Sequence, residues 1–318
     1  MQEKGNTVVV DVKSCCWEVI VNPNATSGQG YKHWEKIATP LREMSVNFRE
    51  HIASHAGMGT ELVEKLCKEG SRYFMVVGGD GTVNEVVNGI ARGNLCKGET
   101  FLVPFPVGTG NDWVRTHEYP ERIEDILEIF SRGKFKLHDI GFVEVERQGT
   151  PTTGRYFINI AGFGFDAAVI ARTVNGKAWL GKATYLWNLA KTLFTYRTRN
   201  MRVDSDNFHI DSPVFSVTVG ICKYNGHGMM QVPPANPFDG LLDVVVISKI
   251  SICKIIANVK NLFSGKHLKL DEVSVYRTAG VSIKATPYTA GEVEGEILPI
   301  GQYRVSVLPA VLHALVRE

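Results

Sequence analysis

The sequence predicts an α/β fold in the first half of the chain and an antiparallel, β-rich fold in the second half. In the first half, short apolar runs alternate with segments of helical spacing, which is typical of a parallel sheet with helices on both faces. From about Leu137, short alternating runs take over, and these are typical of an antiparallel sandwich. We therefore expect one domain over residues 1–135 and a second over residues 136–305, with residues 306–318 returning to the first.

The elements of the first half follow from where its apolar runs begin and end. One run ends before Asn22-Pro23 and another runs into Gly78, so each predicts a buried strand followed by a turn. The spacing of Ile123, Leu127 and Phe130 predicts the last helix. The predicted strands are residues 17–21, 48–54, 73–77 and 101–105, and the predicted helices are residues 30–41, 60–67, 83–90 and 121–130.

The elements of the second half are mostly short strands. A Gly-Thr-Pro-Thr-Thr-Gly stretch over residues 149–154 predicts a hairpin turn or surface loop. Two stretches, residues 179–194 and 252–263, instead carry apolar side chains at helical spacing. The predicted strands are residues 140–145, 156–161, 214–222, 241–247, 281–285 and 303–308.

Composition narrows the class of protein. The 318 residues are 44% hydrophobic and 21% charged, as in ordinary globular proteins, and a net charge of +2 argues against a nucleic-acid binder. Residues 1–7 lack the apolar core of a signal peptide, and no apolar run approaches the roughly 20 residues that span a bilayer. The six cysteines include no C-x-x-C pair, which favours free thiols in a reducing cytoplasm.

Three loops of phosphate-binding type follow predicted strands: residues 22–28, 78–84 and 106–112. The middle loop reads Gly78-Gly79-Asp80-Gly81-Thr82. Its glycines allow a polyanion to approach the backbone, and the helix that follows supplies amide donors. Asp80 suits a divalent cation that accompanies phosphates. None of the loops is a Walker A or G-x-G-x-x-G motif, so we expect another kind of metal–nucleotide site at the carboxyl edge of the sheet.

In this order the loops resemble the diacylglycerol kinase catalytic-domain family, which includes bacterial lipid kinases and the sphingosine and ceramide kinases. The matching motifs are Asn-Pro…Ser-Gly, then Gly-Gly-Asp-Gly-Thr-Val-Asn-Glu-Val-Val-Asn-Gly, then Pro-x-Gly-Thr-x-Asn-Asp. The resemblance covers nearly the whole chain. It implies an N-terminal nucleotide domain like those of phosphofructokinase and NAD kinase, a C-terminal β-rich lipid domain, and ATP-dependent phosphorylation of a lipid hydroxyl. The residues it implies for the ATP site are Asn22, Ser27, Gly28, Ser54, Gly78, Gly79, Asp80, Gly81, Thr82, Asn84 and Thr109.

The resemblance also implies a structural Mg²⁺ site in the second half. The segment Asn236-Pro237-Phe238-Asp239-Gly240-Leu241-Leu242-Asp243 is similar to the family's Asp-Asp-Gly-Leu-Leu-Asp loop. The ligands carried over are Asn236, Asp239 and the backbone of Leu241. One aspartate of the family's pair is Phe238 here, which makes the site less charge-dense and removes none of these three ligands. A turn stabilised by Asp239 alone is the alternative.

A second motif, Glu294-Gly295-Glu296, stands where the family usually has Asp-Gly-Glu. By the resemblance, Glu296 is the catalytic base that takes the proton of the lipid hydroxyl. Glu294, one methylene longer than the usual Asp, would orient the site or touch the metal. Two carboxylates two residues apart in a strand lie on one side of it, and we expect that arrangement here. An exposed charged turn is the alternative. His138-Asp139 is interpreted as structural.

Two acid-free basic stretches indicate where a lipid kinase would meet a membrane. No acidic residue lies between Asp166 and Asp204 or between Asp243 and Asp271, whereas both stretches carry lysines or arginines beside apolar stripes. Basic residues near an anionic surface contribute about 1 kcal/mol each. We expect transient contact with an anionic membrane through residues 176–202; packing of the stripes on a sheet is the alternative.

Several readings of function stay open. Diacylglycerol is the default acceptor, and a sphingoid-base or other long-chain alcohol kinase is the nearest alternative. An NAD kinase shares Gly-Gly-Asp-Gly but lacks the third loop and the basic second half. Because Glu294 stands where the family usually has Asp, a catalytically silent, lipid-binding member of the family is a further alternative. We expect a cytoplasmic protein with peripheral membrane contact, ATP and Mg²⁺ as cofactors, no nucleic-acid partner, and a homodimer as the default assembly.

Overall fold

The computed structural model describes residues 7–94, 99–147, 149–175 and 181–317. The chain divides into two compact units. The first unit comprises residues 1–140, 237–240 and 308–318, and the second comprises residues 141–236 and 241–307. No helix among the described residues is long and apolar enough to cross a membrane.

The first unit alternates strands and helices along the chain, as the sequence predicts. Its elements are β1 (Thr7–Val9), β2 (Cys16–Val21), α1 (Ala25–Gly28), α2 (Gly30–Glu43), β3 (Asn47–Ile52), α3 (Met58–Lys68), β4 (Tyr73–Gly78), α4 (Asp80–Asn94), β5 (Thr100–Pro106), α5 (Asp112–Thr116), α6 (Ile123–Ser131) and the first part of β6 (Lys134–Glu146).

The second unit is mainly β-structure. Its strands are the rest of β6, then β7 (Thr153–Phe157), β8 (Ile160–Gly164), β9 (Arg199–Asp204), β10 (His209–Gly220), β11 (Leu242–Ser248), β12 (Val273–Thr278), β13 (Gly280–Thr286), β14 (Gly291–Val293), β15 (Glu296–Ile297) and β16 (Gln302–Leu315), whose last residues belong to the first unit. Its helices are α7 (Phe165–Asn175), α8 (Gly181–Thr195) and α9 (Ile252–Asn258), followed by 3-10 helices at Val259–Phe263 and Lys266–Lys269.

The strands of the first unit pair in the order β16-β5-β4-β2-β3, and every pair in this order is parallel. Residues 74–78 of the central strand β4 are all buried, because helices cover both faces of a parallel sheet. Trp17 on β2 packs edge-on against Tyr73 and Phe130, with ring centroids 5.3 and 5.2 Å away. This packing fixes the sheet whose carboxyl edge carries the three loops.

The pairs described within the second unit are antiparallel. The long strand β10 lies at its centre and pairs with β8, β9 and β11. Strand β14 pairs with β8 on one side and with β15 on the other. The predicted change from an α/β fold to an antiparallel β-rich fold is therefore confirmed.

Two predictions for the second unit were wrong in detail. Residues 156–161 were expected to form one strand, but β7 ends at Phe157 and β8 begins at Ile160. The chain breaks there because the amides of Ile158 and Asn159 donate to the Glu294 carboxylate, at 2.9 and 2.6 Å, instead of to a neighbouring strand. In addition, strands β9 and β12 were not predicted: β9 carries three charged residues, Arg199, Arg202 and Asp204, and β12 carries Arg277.

Candidate functional site

The three predicted loops lie side by side at the carboxyl edge of the parallel sheet. The amide of Asn22 donates to the carbonyl of Val77 at 3.0 Å, and the amide of Val107 donates to that of Gly78 at 2.9 Å. These bonds join the residues that follow β2 and β5 to the last two residues of β4. The parallel register thus brings together the first residues of segments far apart in the sequence.

Asn22 connects the first loop to the second through its side chain. Its Nδ2 donates to Thr82 Oγ1 at 3.0 Å, and its Oδ1 accepts from the amide of Asn24 at 2.9 Å. The Asn24 side chain in turn donates to the carbonyl of Ser54 at 2.8 Å. Of the predicted ATP-site residues, the structure therefore groups Asn22, Ser54 and Thr82.

The rest of the first loop is exposed and has an unusual backbone. Ser27 and Gly28 are exposed, with φ of 58° and 88°, a region in which glycine meets no steric penalty. A Cβ built on Gly28 would meet nothing within 4 Å. In contrast, a Cβ on Gly30 would lie 1.9 Å from the carbonyl oxygen of Asn22. The loop is thus tightly closed at its base and open above Gly28.

The glycines of the middle loop have separate roles. A Cβ on Gly78 would lie 2.4 Å from Thr82 Oγ1, whereas one on Gly81 would meet nothing within 4 Å. Gly78 is needed for packing beneath the loop, and Gly81 leaves open space at the start of α4. Asp80, the first residue of α4, accepts a hydrogen bond from the amide of Trp113 at 3.1 Å. Its carboxylate therefore lies between the beginnings of α4 and α5.

The third loop touches the second through the backbone. A Cβ on Gly108 would lie 2.8 Å from the Cα of Gly79, whereas one on Gly79 would be at an ordinary 3.5 Å from the Cα of Gly108, so the close approach of the two loops requires glycine at position 108. Thr109 is exposed. Asn111 donates from Nδ2 to the carbonyl of Gly108 at 3.1 Å, while its buried Oδ1 has no hydrogen-bond partner among the described residues.

These loops suit a nucleotide triphosphate. A Cβ built on Gly28, Gly79 or Gly81 would have no other heavy atom closer than 3.5 Å. These three positions therefore leave open space for a ligand. The first turn of α4 adds the positive end of a helix, and the Asn111 Oδ1, which has no hydrogen-bond partner among the described residues, is an oxygen of the kind that binds a divalent cation.

Asn84 lies on α4, four residues after Asp80. It is 1% exposed, and its carbonyl and side-chain oxygens accept hydrogen bonds from Asn88 Nδ2 at 2.9 and 3.2 Å. The next residue, Glu85, was not among the predicted site residues. Its carboxylate accepts from the amides of Gly57 and Gly59 at 2.8 and 3.0 Å. Glu85 thus caps α3 from α4 and helps to fix the helix that begins at Asp80.

Asp139, interpreted from the sequence as structural, is a buried carboxylate that holds two distant backbone amides. It is 2% exposed, and its carboxylate accepts from the amides of Gly240 and Ala310 at 2.7 and 2.8 Å. Burial, and the nearby charge of Asp239, raise the pKa of Asp139 against the effect of these amides. The sequence could not show which groups Asp139 binds, because Gly240 and Ala310 lie 101 and 171 residues away from it.

The predicted magnesium ligands lie on the loop that Asp139 holds. Asn236 is exposed, and Asp239 and Leu241 are partly buried. A carboxylate, a side-chain amide and a backbone carbonyl all offer oxygen, the ligand atom that Mg²⁺ prefers. The crowding of Asp239 against Asp139 is the kind of repulsion that a divalent cation relieves. The donor set therefore fits a magnesium ion.

In the second unit, the expectation that Glu294 and Glu296 share one strand was wrong. Val293 pairs with Glu296 across the β14–β15 hairpin, and Glu294-Gly295 form its two-residue turn with φ of 53° and 80°. Two positive φ values are typical of the tight turns that Asp-Gly usually forms. Glu294 accepts from two backbone amides, whereas Glu296, half-exposed, forms an ion pair with Arg155.

The second unit also encloses an apolar cavity of about 180 Å³. Its walls include Val169 on α7, Leu193 on α8 and Val245 on β11, and two carboxyl groups, Asp166 and Glu292, line it as well. Neither carboxyl group was predicted as a site residue.

Comparisons with known proteins identify both halves of the chain. Residues 17–143 match the family model of the diacylglycerol kinase catalytic domain, and residues 159–316 match that of the YegS C-terminal NAD kinase beta sandwich-like domain. The diacylglycerol kinase of Bacillus subtilis (strain 168) is 24% identical, over 87% of this chain and 88% of its own length.

Solved structures share the fold. A diacylglycerol kinase from Bacillus anthracis strain Sterne superposes with a TM-score of 0.72 at 19% identity, over 95% of this chain and 96% of that chain. Yeast NADH kinase, solved in complex with NADH, gives a TM-score of 0.55 at 11% identity, over 96% of this chain and 84% of that chain. The predicted fold class, with its NAD-kinase-like first half and its sandwich, is confirmed.

The two family models together define the class: the protein is a lipid kinase, a transferase for which ATP is the phosphate donor. The chain belongs to the diacylglycerol kinase catalytic-domain family, as the order of its loops predicted.

Proposed function

We propose that this protein transfers the γ-phosphoryl group of ATP to the hydroxyl of diacylglycerol, which yields phosphatidic acid for phospholipid biosynthesis. The observation that carries the proposal is the shared edge at which the loops after β2, β4 and β5 meet. Small side chains, open glycine positions and the start of α4 converge there. The name of the Bacillus subtilis relative supports diacylglycerol as the acceptor.

On this proposal the first unit binds the nucleotide. Ser27, Gly28 and Thr109 are exposed and contact the phosphates with backbone and hydroxyl groups. Asn22 and Thr82 hold the loops in register through their mutual hydrogen bond. Asp80 would face the magnesium ion that accompanies the phosphates, and Mg²⁺ bound with ATP would supply charge neutralisation during transfer.

Loop 236–241 has a structural part in the proposal. Asp239, Asn236 and the carbonyl of Leu241 would hold a second magnesium ion. Asp139 fixes the loop through the amide of Gly240. Loss of the ion would then loosen the loop without removing the nucleotide site.

Glu296 is the proposed base for the lipid hydroxyl. Its carboxylate lies beside Arg155, with which it forms an ion pair, and a carboxylate can accept the proton of a hydroxyl. Glu294 acts as a positioning residue, because its carboxylate holds two amides of the β7–β8 connection and so fixes the turn that carries Glu296.

We also propose that the second unit meets an anionic membrane as a peripheral protein of the cytoplasm, with a homodimer as the default assembly. Exposed apolar side chains, Trp187 and Phe194 on α8 and Ile256 and Phe263 near α9, project beside exposed lysines. Other residues of the same elements line the cavity. Of the expected contact segment 176–202, residues 176–180 lie outside the described part of the chain.

One assay panel tests the proposed reaction. Labelled ATP and Mg²⁺ are incubated separately with diacylglycerol, sphingosine, ceramide, phosphatidylglycerol and NAD. We expect label in diacylglycerol, reduced at least about hundredfold in Glu296→Gln and in Asp80→Asn, because each removes a charge that acts in the transition state.

A measurement of ATP affinity distinguishes the two variants. We expect Glu296→Gln to bind ATP as the wild-type protein does, and Asp80→Asn to bind it more weakly when Mg²⁺ is present. Glu124→Gln, an exposed change in the first turn of α6, serves as the control and leaves transfer unchanged. Label in NAD alone would refute the lipid reaction, and ATP binding without any labelled acceptor would indicate a silent member of the family.

A further inference from the structure

The two carboxyl groups of the cavity are placed next to one another by Gly162. A Cβ on Gly162 would lie 2.7 Å from Glu292 Oε1 and 2.9 Å from the Cβ of Asp166. Only glycine at this position of β8 leaves room for both side chains. The pair is therefore built into the wall of the cavity.

The two groups are not equivalent. Asp166 Oδ2 accepts hydrogen bonds from the hydroxyls of Ser216 and Thr218 at 3.0 and 3.1 Å. Glu292 is 1% exposed and accepts hydrogen bonds from the amide of Gly295, at 2.8 Å, and from the side chain of Asn225. Glu292 also has two carboxyl neighbours, Asp166 and Glu294, whose negative charges disfavour its ionised form, so Asp166 is better suited than Glu292 to carry the negative charge of the pair.

Burial, and then the charge of Asp166, raise the pKa of Glu292 to about 8. Burial raises the pKa of Asp166 as well, but its two hydroxyl donors act in the opposite direction. At neutral pH Glu292 is thus a carboxylic acid with an O–H to donate. A carboxyl group kept neutral by an apolar site is a known kind of hydrogen-bond donor in proteins.

Other titratable groups around Glu292 do not reverse this. Glu294 in the adjoining turn adds a further negative charge, which also raises the pKa of Glu292. Glu296 on β15 is paired with Arg155, and Arg172 on α7 donates to Thr195. Burial lowers the pKa of His267, which lines the same cavity, so this ring is neutral at pH 7.

We propose that Glu292 binds the polar end of the lipid acceptor by donating a hydrogen bond to a carbonyl oxygen of an acyl ester. This inference rests on the proposed function, because it takes the cavity to be the site of the acceptor lipid. A protonated acid complements an acceptor atom, and an ester carbonyl is the acceptor that an acylglycerol carries beside its hydrocarbon chains. An ammonium group would require Glu292 to lose its proton first.

Binding measured by calorimetry without ATP tests the proposal. The probes are dioctanoylglycerol and its dioctyl ether analogue, which lacks both carbonyl groups. At about pH 7 we expect the wild-type protein to bind the ester about tenfold more tightly, the effect of one buried hydrogen bond. At about pH 9 this preference disappears, because Glu292 ionises and neither probe titrates.

Two variants distinguish the hydrogen bond donated by residue 292 from the charge of its carboxyl group. Glu292→Gln keeps an N–H donor, so it retains the ester preference at both pH values. Glu292→Leu has no donor and binds both probes equally. Glu146→Gln, a change at an exposed ion pair with Arg304 of the same unit, behaves like the wild-type protein. Thermal unfolding verifies that each variant is folded.

Equal binding of ester and ether by the wild-type protein would overturn the proposal. So would tighter binding of a long-chain amine that Glu292→Gln abolishes, since that result assigns the pair to an ammonium group. Because the measurement omits ATP, it is separate from the transfer assay. Ester-selective binding without phosphoryl transfer would refute the proposed reaction and leave the role of Glu292 intact.

Discussion

Glu292 shows how strongly one buried carboxyl group can couple folding to pH. It lies on β14 in the wall of the cavity, and burial followed by the charge of Asp166 raises its pKa from 4.5 to about 8. Between these two values the folded protein holds a proton that the unfolded chain releases. The free energy of unfolding therefore falls as the pH rises through this window.

Replacing Glu292 with Gln should remove this dependence. We expect Glu292→Gln to raise the free energy of unfolding by about 2–4 kcal/mol near pH 8 and to change it little near pH 4, where the wild-type carboxyl group is protonated in both states. Urea unfolding of both proteins across this range measures the difference. A difference that shrinks as the pH rises would mean that Glu292 is ionised in the folded protein.

Single residues also show what the sequence could not reveal. The glycines of the middle loop and Asp80 were predictable, because strand, turn and helix signals surround them. Asp139 and Glu292 were not, because their roles depend on partners that only the tertiary fold supplies. Nothing local distinguishes Glu292 from its exposed neighbour Glu296, yet one lies in a cavity wall and the other in an ion pair.

At the scale of elements, α3 and α4 form the support beneath the middle loop. The two helices approach closely along glycines of α4: a Cβ on Gly89 would lie 2.6 Å from that of Val63, and one on Gly93 would lie 2.5 Å from that of Cys67. The carboxylate of Glu85 then caps α3. The start of α4, where Asp80 lies, is thus held by a packed helix pair.

We expect Glu85→Gln to lower the free energy of unfolding by about 1–2 kcal/mol, the usual contribution of a side chain that caps a helix. The amide offers one acceptor where the carboxylate supplies two. Urea unfolding measures the loss. The control is Glu61→Gln, an exposed change in the first turn of α3. An equal effect of both substitutions would mean that general charge, and not the cap, stabilises the helix pair.

The elements themselves were predictable to different degrees. Strands buried on both faces gave clear apolar runs, as in β4, and their ends lay within about two residues of the prediction. Strands β9 and β12 were missed because each exposes one face and carries charges there. The break between β7 and β8 depends on Glu294, which lies more than 130 residues away.

At the scale of the whole molecule, charge is unevenly distributed along a nearly neutral chain. The second unit presents exposed lysines and arginines, including Lys191, Arg197, Lys260 and Lys266, on stretches without acidic residues. Exposed apolar side chains accompany them. Such a combination favours reversible binding to anionic lipid surfaces.

Charge reversal tests this surface. Changing Lys191, Arg197, Lys260 and Lys266 to Glu should weaken binding to phosphatidylserine vesicles by at least about hundredfold, since each basic residue contributes about 1 kcal/mol. Vesicle sedimentation measures the loss. The matched control reverses four exposed lysines of the first unit: Lys32, Lys36, Lys65 and Lys68. Equal losses in both variants would show that net charge alone, and not this surface, attracts the membrane.

Strand β16 determines when, during synthesis, the parallel sheet can be completed. Its residues 312–314 pair with residues 100–102 of β5, so one edge of the parallel sheet waits for a segment that the ribosome makes after the entire second unit. Until then the nascent chain exposes an unpaired strand edge, the kind of surface that invites aggregation or a chaperone. The first unit begins its folding early in translation and completes its sheet only near the end.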